Sequence, residues 1–127
     1  MKQLSLLGQL EPLDLNPPLL TSFYGGGGKT TLMRALAEEL SNAGFKALLT
    51  TTTKIFPYPD LVHFYSDKPV KLKAELLNHL ISSNLAVFGR PIEQSGKIDG
   101  ITTEEAETLF KALQVSLLVE GDGSKGL

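Results

Sequence analysis

The chain has no cysteine and no tryptophan among its 127 residues. Without thiols there is no disulfide framework and no thiolate metal site. The two histidines, His63 and His79, are spaced too irregularly for a zinc motif, so each reads as solvated or as a hydrogen-bonded structural ring. Lysine and arginine number 12 against 14 acidic residues, a formal charge of -2 with no long basic cluster to serve as a nucleic-acid face. No apolar run approaches the roughly 18 residues of a membrane span. The stretch from Met1 to Leu20 breaks at Glu11, Pro12, Asp14, Pro17 and Pro18 before a signal-peptide core is complete. These absences predict a cytoplasmic protein that binds neither nucleic acid nor membrane. What remains, 42% hydrophobic and 20% charged, is ordinary for one globular domain with a single core.

Against that plain background stands the run from Leu19 to Thr31, an apolar segment that breaks into Gly25, Gly26, Gly27 and Gly28 and continues as Lys29, Thr30 and Thr31. Glycines free the backbone to aim successive N–H groups at an anion, lysine adds a point charge, and a threonine hydroxyl can ligate magnesium. The order predicts a phosphate-binding loop for a nucleoside triphosphate, ATP or GTP. The standard G-x-x-x-x-G-K-[ST] spacing fails, because Phe23 stands five residues before Gly28. The tighter Gly25-x-x-Gly28-Lys29-Thr30-Thr31 resembles the compressed loop of the Mur ligases. A flexible glycine linker is the competing reading, disfavoured by the strand and helix patterns on either side. A dinucleotide fingerprint fails on Thr30, which stands where a glycine is required.

The rest of the chain alternates strand and helix. Leucines at 4, 6, 7 and 10 suit a short helix ended by Pro12, and the prolines up to residue 18 close an N-terminal extension over 1–18 ahead of a nucleotide-binding domain over 19–127. Leu19 to Tyr24 reads as the first strand, and the following helix has Leu32, Ala35, Leu36 and Leu40 as its stripe, capped near Gly44. Phe45 to Thr53 reads as the second strand, 57–65 as irregular, and 70–83 as a helix burying Leu72, Leu76, Leu80 and Ile81. A strand at 85–88 precedes a loop or small hairpin over 89–100. Thr102 with Glu105 forms a capping box for a helix with Ala106, Leu109, Phe110 and Leu113 inward. A last strand runs from Val115 to Val119 and ends at Glu120. Such alternation predicts an α/β fold of the P-loop nucleotide-binding type, with a mainly parallel sheet, helices on both faces and a ligand at the carboxyl ends of the strands. The chain stops where such a sheet usually adds strands, so the expectation is a C-terminally incomplete domain whose open sheet edge can self-associate.

Three polar clusters follow three strands at that end. Besides the glycine loop, the Thr50–Thr53 run with Lys54 could position a metal-bound water or contact the terminal phosphate, with Thr53 and Lys54 as the candidates; threonine is also simply a good strand former. Glu120-Gly121-Asp122 is an acidic strand end of the kind that holds magnesium opposite a phosphate loop. Thr30, Glu120 and Asp122 are the candidate metal residues, Asp122 on the metal side and Glu120 behind it. Lys125 is a surface charge or a second phosphate contact. Lys29 would stabilise charge moving to the leaving oxygen, while no residue stands out as a catalytic base.

Four motifs together carry a closer resemblance: Gly25-Gly-Gly-Gly-Lys-Thr-Thr31, Leu49-Thr-Thr-Thr-Thr-Lys-Ile-Phe56, Gly96-Lys-Ile-Asp-Gly-Ile-Thr102 and Val119-Glu-Gly-Asp-Gly-Ser-Lys-Gly126. In this order the chain resembles the YqeC family, accessory proteins of selenium-dependent molybdenum hydroxylases. The family's last motif usually reads Glu-Ala-Asp-Gly-Ala-Lys, and here Gly121 and Ser124 stand at its alanines. The resemblance implies nucleotide-dependent maturation of a molybdenum hydroxylase target protein, and a longer chain than this one. From the residues alone three classes stay open: an accessory NTPase, a small-molecule kinase or Mur-like ligase, and a non-catalytic nucleotide-binding module.

Overall fold

A computed structural model describes residues 16–23 and 29–121, with the side chains of the helix after the glycine run described from Thr31 onward. The elements in order are β1 (Leu20–Phe23), α1 (Lys29–Asn42), β2 (Ala47–Thr51), β3 (Lys54–Ile55), β4 (His63–Tyr65), a 3-10 turn (Pro69–Leu72) leading into α2 (Lys73–Leu80), β5 (Leu85–Ile92), β6 (Ile98–Asp99), α3 (Thr103–Leu113) and β7 (Ser116–Glu120). They form a seven-stranded sheet ordered β1-β7-β2-β5-β6-β3, with β4 also on β5. Strands β1, β7, β2, β5 and β4 run parallel, so their carboxyl ends share one edge. The end of β5 turns back through β6 to β3 as an antiparallel flap. The fold is thus α/β with a mostly parallel sheet.

Each face of that sheet has its own core. Helix α1 covers one face, where Met33, Leu36, Ala37 and Leu40 pack with Phe23, Ala47, Leu49, Val87 and Leu118. Helices α2 and α3 cover the other, where Leu72, Leu76, Leu80, Ala106, Leu109 and Leu113 meet Leu48, Ala86, Phe88, Leu117 and Val119. Successive strand residues point to opposite faces, which is why neighbours such as Leu117 and Leu118 fall in different cores.

Several expected boundaries shift for local reasons. The buried stripe of α1 is Met33, Leu36, Ala37 and Leu40, with Ala35 only half-buried; the sequence stripe was rotated by reading Ala35 in place of Met33. Gly44, at φ +89, donates to the Ser41 carbonyl while Phe45 donates to the Leu40 carbonyl, the Schellman pair that a left-handed glycine permits. Phe45 is therefore spent on the cap and 43% exposed, and β2 begins at Ala47. Helix α2 stops at Leu80, so Ile81 falls off its stripe and is 79% exposed. The segment expected to be irregular contains β4, and the 89–100 segment is a hairpin whose first strand reaches Ile92. The capping box holds: Thr102 Oγ1 accepts from the Glu105 N–H at 3.0 Å, and Glu105 Oε1 accepts from the Thr102 N–H at 2.8 Å. Among the described residues no helix is long and apolar enough to cross a membrane.

Candidate functional site

The register of the sheet assembles the site. Glu120 at the end of β7 lies opposite Phe23 on β1 and opposite Thr51 on β2. Its neighbour in β7 by alternation, Leu118, belongs to the α1 core, as do Phe23 and Leu49. Phe23, Glu120 and Thr51 therefore form a row at the carboxyl edge on the α1 face. The chain leaves β1 at Phe23 and re-enters described structure as α1 at Lys29, so the glycine run connects this row to a helix N-terminus. Glu120 is 6% exposed, its position fixed by hydrogen bonds on both sides of its strand end. The Gly121 N–H donates to the Phe23 carbonyl at 2.8 Å, and the Glu120 carbonyl accepts from the Thr52 N–H at 3.0 Å and the Thr51 hydroxyl at 2.9 Å.

The threonine run divides its labour. Thr50 points to the other face and donates to the Phe88 carbonyl at 2.6 Å, a structural bond. Thr51 Oγ1 accepts from the Thr53 N–H at 2.9 Å and sits 3.2 Å from the Thr53 hydroxyl, curling the chain out of the strand. Gly100 makes that turn possible: a Cβ there would come within 2.5 Å of the Thr52 carbonyl carbon and 2.7 Å of the Thr53 oxygen. The Ile101 N–H then donates to the Thr51 carbonyl at 2.8 Å. The motif over 96–102 thus clamps the threonine turn against the end of β7. Arg90 braces the clamp, donating to the Gly100 carbonyl and in a bidentate pair to Glu105 at 2.8 and 2.9 Å. Burial pushes the Glu105 carboxyl up, but the bonds from Arg90 and Thr102 outweigh it and leave the group below its usual range.

A residue that the sequence did not single out lies on the same face, against α1. Tyr58 is 7% exposed, and its hydroxyl has no hydrogen-bond partner among the described residues. Burial first, then the Glu120 carboxylate, push its phenol up to about 12, with Arg34 acting the other way. Arg34 on α1 lies 5.7 Å from the Tyr58 ring centroid and reaches Asp60 through two nitrogens, at 3.1 and 2.6 Å, and Glu38 at 2.8 Å. The Tyr58 N–H donates to His63 Nε2 at 3.0 Å. His63 must then carry its proton on Nδ1, which meets the Leu61 carbonyl at 2.9 Å. The only sequence signal for Tyr58 was its placement between Pro57 and Pro59, which limits the backbone freedom of the segment.

Of the other sequence-predicted residues, Lys54 sits on the flap with Glu93 at 3.2 Å and Asp99 at 3.9 Å, while Thr53 lies in the clamped turn. Thr31 is exposed in the first turn of α1. The glycines 25–28, Asp122 and Lys125, with the side chains of Lys29 and Thr30, lie outside the described residues, as does the expected helix near residue 10. Among the described residues no three carboxylates or imidazoles gather into a metal cage. Magnesium at a nucleotide needs no cage, since phosphates and water supply most of its ligands. The described part of this edge thus holds one buried carboxylate, Glu120, and the face under α1 holds one buried hydroxyl, that of Tyr58, without a partner among the described residues. A cleft of about 180 Å³ on the opposite face, lined by Leu20, Ser22, Thr52, Thr103, Ala106, Glu107 and Val119, offers no basic side chain for one.

Comparison with known proteins gives a consistent family. The profile described as "YqeC protein" matches residues 21–127. The "Uncharacterized protein YqeC" of Escherichia coli (strain K12) is 34% identical over 112 residues, which cover 87% of this chain and 43% of that protein. The chain therefore spans under half the length of this relative. No solved structure matches.

Proposed function

The chain belongs to the YqeC family, and we propose that its carboxyl edge on the α1 face binds a magnesium nucleoside triphosphate and that the protein is an NTPase. The observation that carries this reading is the row of Phe23, Glu120 and Thr51, in register on adjacent parallel strands, beside the helix that follows the glycine run. Parallel α/β sheets bind ligands outside the carboxyl ends of their strands, and a helix start favours anions through its unpaired N–H groups. In this assignment glycines 25–28 and Lys29 hold the phosphates, and Thr30 with Glu120 faces the metal. Asp122, two residues further along the sequence, assists. Magnesium, when bound, neutralises phosphate charge; Lys29 and the backbone N–H groups stabilise charge developing on the leaving oxygen. The family resemblance extends the proposal to maturation of a selenium-dependent molybdenum hydroxylase as the process that hydrolysis serves.

Calorimetric titration of ATP and of GTP, each with magnesium, tests the site. Wild-type protein should bind one of them, and Lys29→Ala should lose at least about tenfold in affinity, the worth of a charge-assisted contact. Equal binding by both proteins would place the site elsewhere. Phosphate release without an added acceptor supports the NTPase; release only with a small-molecule acceptor would make the protein a kinase or ligase, and tight binding with no turnover a nucleotide-binding module.

A further inference from the structure

A buried hydroxyl with nothing to bond is costly, and the fold removes an ordinary remedy by holding Tyr58 from every side. Prolines 57 and 59 restrict its backbone, His63 takes its N–H, and Arg34, itself fixed by Asp60 and Glu38, lies against its ring. Phenylalanine would fill the same space without leaving a buried oxygen unpaired. This phenol lies in the α1-face cluster that contains Phe23, and its ring lies 5.7 Å from Arg34 in the second turn of α1, which sets it toward the half of that helix that follows the glycine run. We propose that the Tyr58 hydroxyl is a ligand-contacting group that donates its hydrogen bond to the terminal phosphate of the bound nucleoside triphosphate. The inference rests on the nucleotide reading given above. Its chemistry is that of a donor, because a tyrosine phenol, ordinarily titrating near pH ~10, keeps its proton throughout the physiological range. A neutral donor near Glu120 also adds no charge that would compete with a cation for that carboxylate. Tyr58 would thereby distinguish a triphosphate from a diphosphate, since only the former reaches it.

The test titrates wild type, Y58F and Lys29→Ala with magnesium ATP or GTP, whichever wild type binds, and with the matching diphosphate; thermal midpoints are measured without nucleotide. Y58F should keep or slightly raise the midpoint, because it removes an unpaired buried polar atom. It should lose roughly tenfold in triphosphate affinity and nothing in diphosphate affinity. Unchanged triphosphate affinity in Y58F, with binding abolished in Lys29→Ala, would overturn this inference alone. An equal loss for both nucleotides would overturn the assignment to the terminal phosphate, and a lowered midpoint would show that the hydroxyl has a structural partner. If wild type binds neither nucleotide, or Lys29→Ala binds as wild type does, the nucleotide reading falls and this inference with it.

Discussion

The two faces of the sheet are built from the same strands, and they differ. The face under α2 and α3 is filled by Leu48, Phe88, Leu117 and Val119, and Thr50, among the described residues its one buried polar strand residue, is spent on a carbonyl. The α1 face is equally apolar through Leu49, Val87 and Leu118, yet at its carboxyl edge it turns polar with Thr51, Glu120 and the Tyr58 hydroxyl. Since strand alternation distributes residues to both faces without preference, the concentration of buried polar groups on one face is a property of this sequence and not of sheets. One face is almost wholly apolar, and the other gathers buried polar groups at its carboxyl edge.

The sharpest way to break that contrast is to damage the cohesive face. Phe88→Ala should cost about 3–5 kcal/mol in denaturant unfolding, the usual loss for a fully buried aromatic. The folded fraction should still bind nucleotide as wild type does. A loss under about 1 kcal/mol would mean that this face is not packed as described. Gly100→Ala tests the join between flap and site. Its methyl group would collide with the Thr52–Thr53 backbone, so about 1–3 kcal/mol of stability should go, together with nucleotide affinity. Stability loss with affinity intact would detach the clamp from the site.

Glu120→Gln keeps shape and removes charge. Its midpoint should stay near that of wild type, while the magnesium dependence of nucleotide affinity falls by about tenfold, some 1.4 kcal/mol. Asp122→Asn in parallel decides the order of the two carboxylates: a larger effect there would restore the arrangement expected from sequence, and no effect in either would reduce the acidic end to packing. The smallest effect belongs to His63. Burial holds its imidazole below the usual 6.5, against the pull of the Leu61 carbonyl and Asp60. The neutral ring is thus the folded form, and the stability it contributes is present above pH 6.5 and is lost as pH falls through the depressed value. Losing the bond from the Tyr58 N–H should cost about 0.5–1.5 kcal/mol. His63→Gln should flatten that part of a pH series of thermal midpoints; an unchanged slope would assign it to another group.

Where the sequence carried period and punctuation, the structure was legible in it. The alternation of strands and helices, the Gly44 cap and the Thr102–Glu105 box each follow from local rules that need no knowledge of the rest of the chain. Strands β3 and β4 escaped, and β6 was left between a loop and a small hairpin, because two or three residues cannot display a period; they exist through their partners on β5 and one another. Glu120 could be chosen from its place at a strand end. That it faces α1 beside Phe23 could not, because register between strands far apart in sequence is a tertiary fact. Tyr58 was missed for the same reason: in sequence it is an aromatic between prolines, and only burial without a partner marks it.

The position of β7 has a temporal consequence. It lies between β1 and β2, although it is the last strand described in the chain; the Leu19 N–H donates to Ser116 Oγ across 97 positions of sequence. During synthesis, at about 5–20 residues per second, β1 and β2 must wait several seconds for the strand that joins them. Until then each presents an unpaired edge, and loop closure over such a span is intrinsically slow. The strand that finally fills the gap is the one carrying Glu120. A nascent or misassembled chain therefore lacks the row of Phe23, Glu120 and Thr51, which comes into being in the same event that closes the sheet.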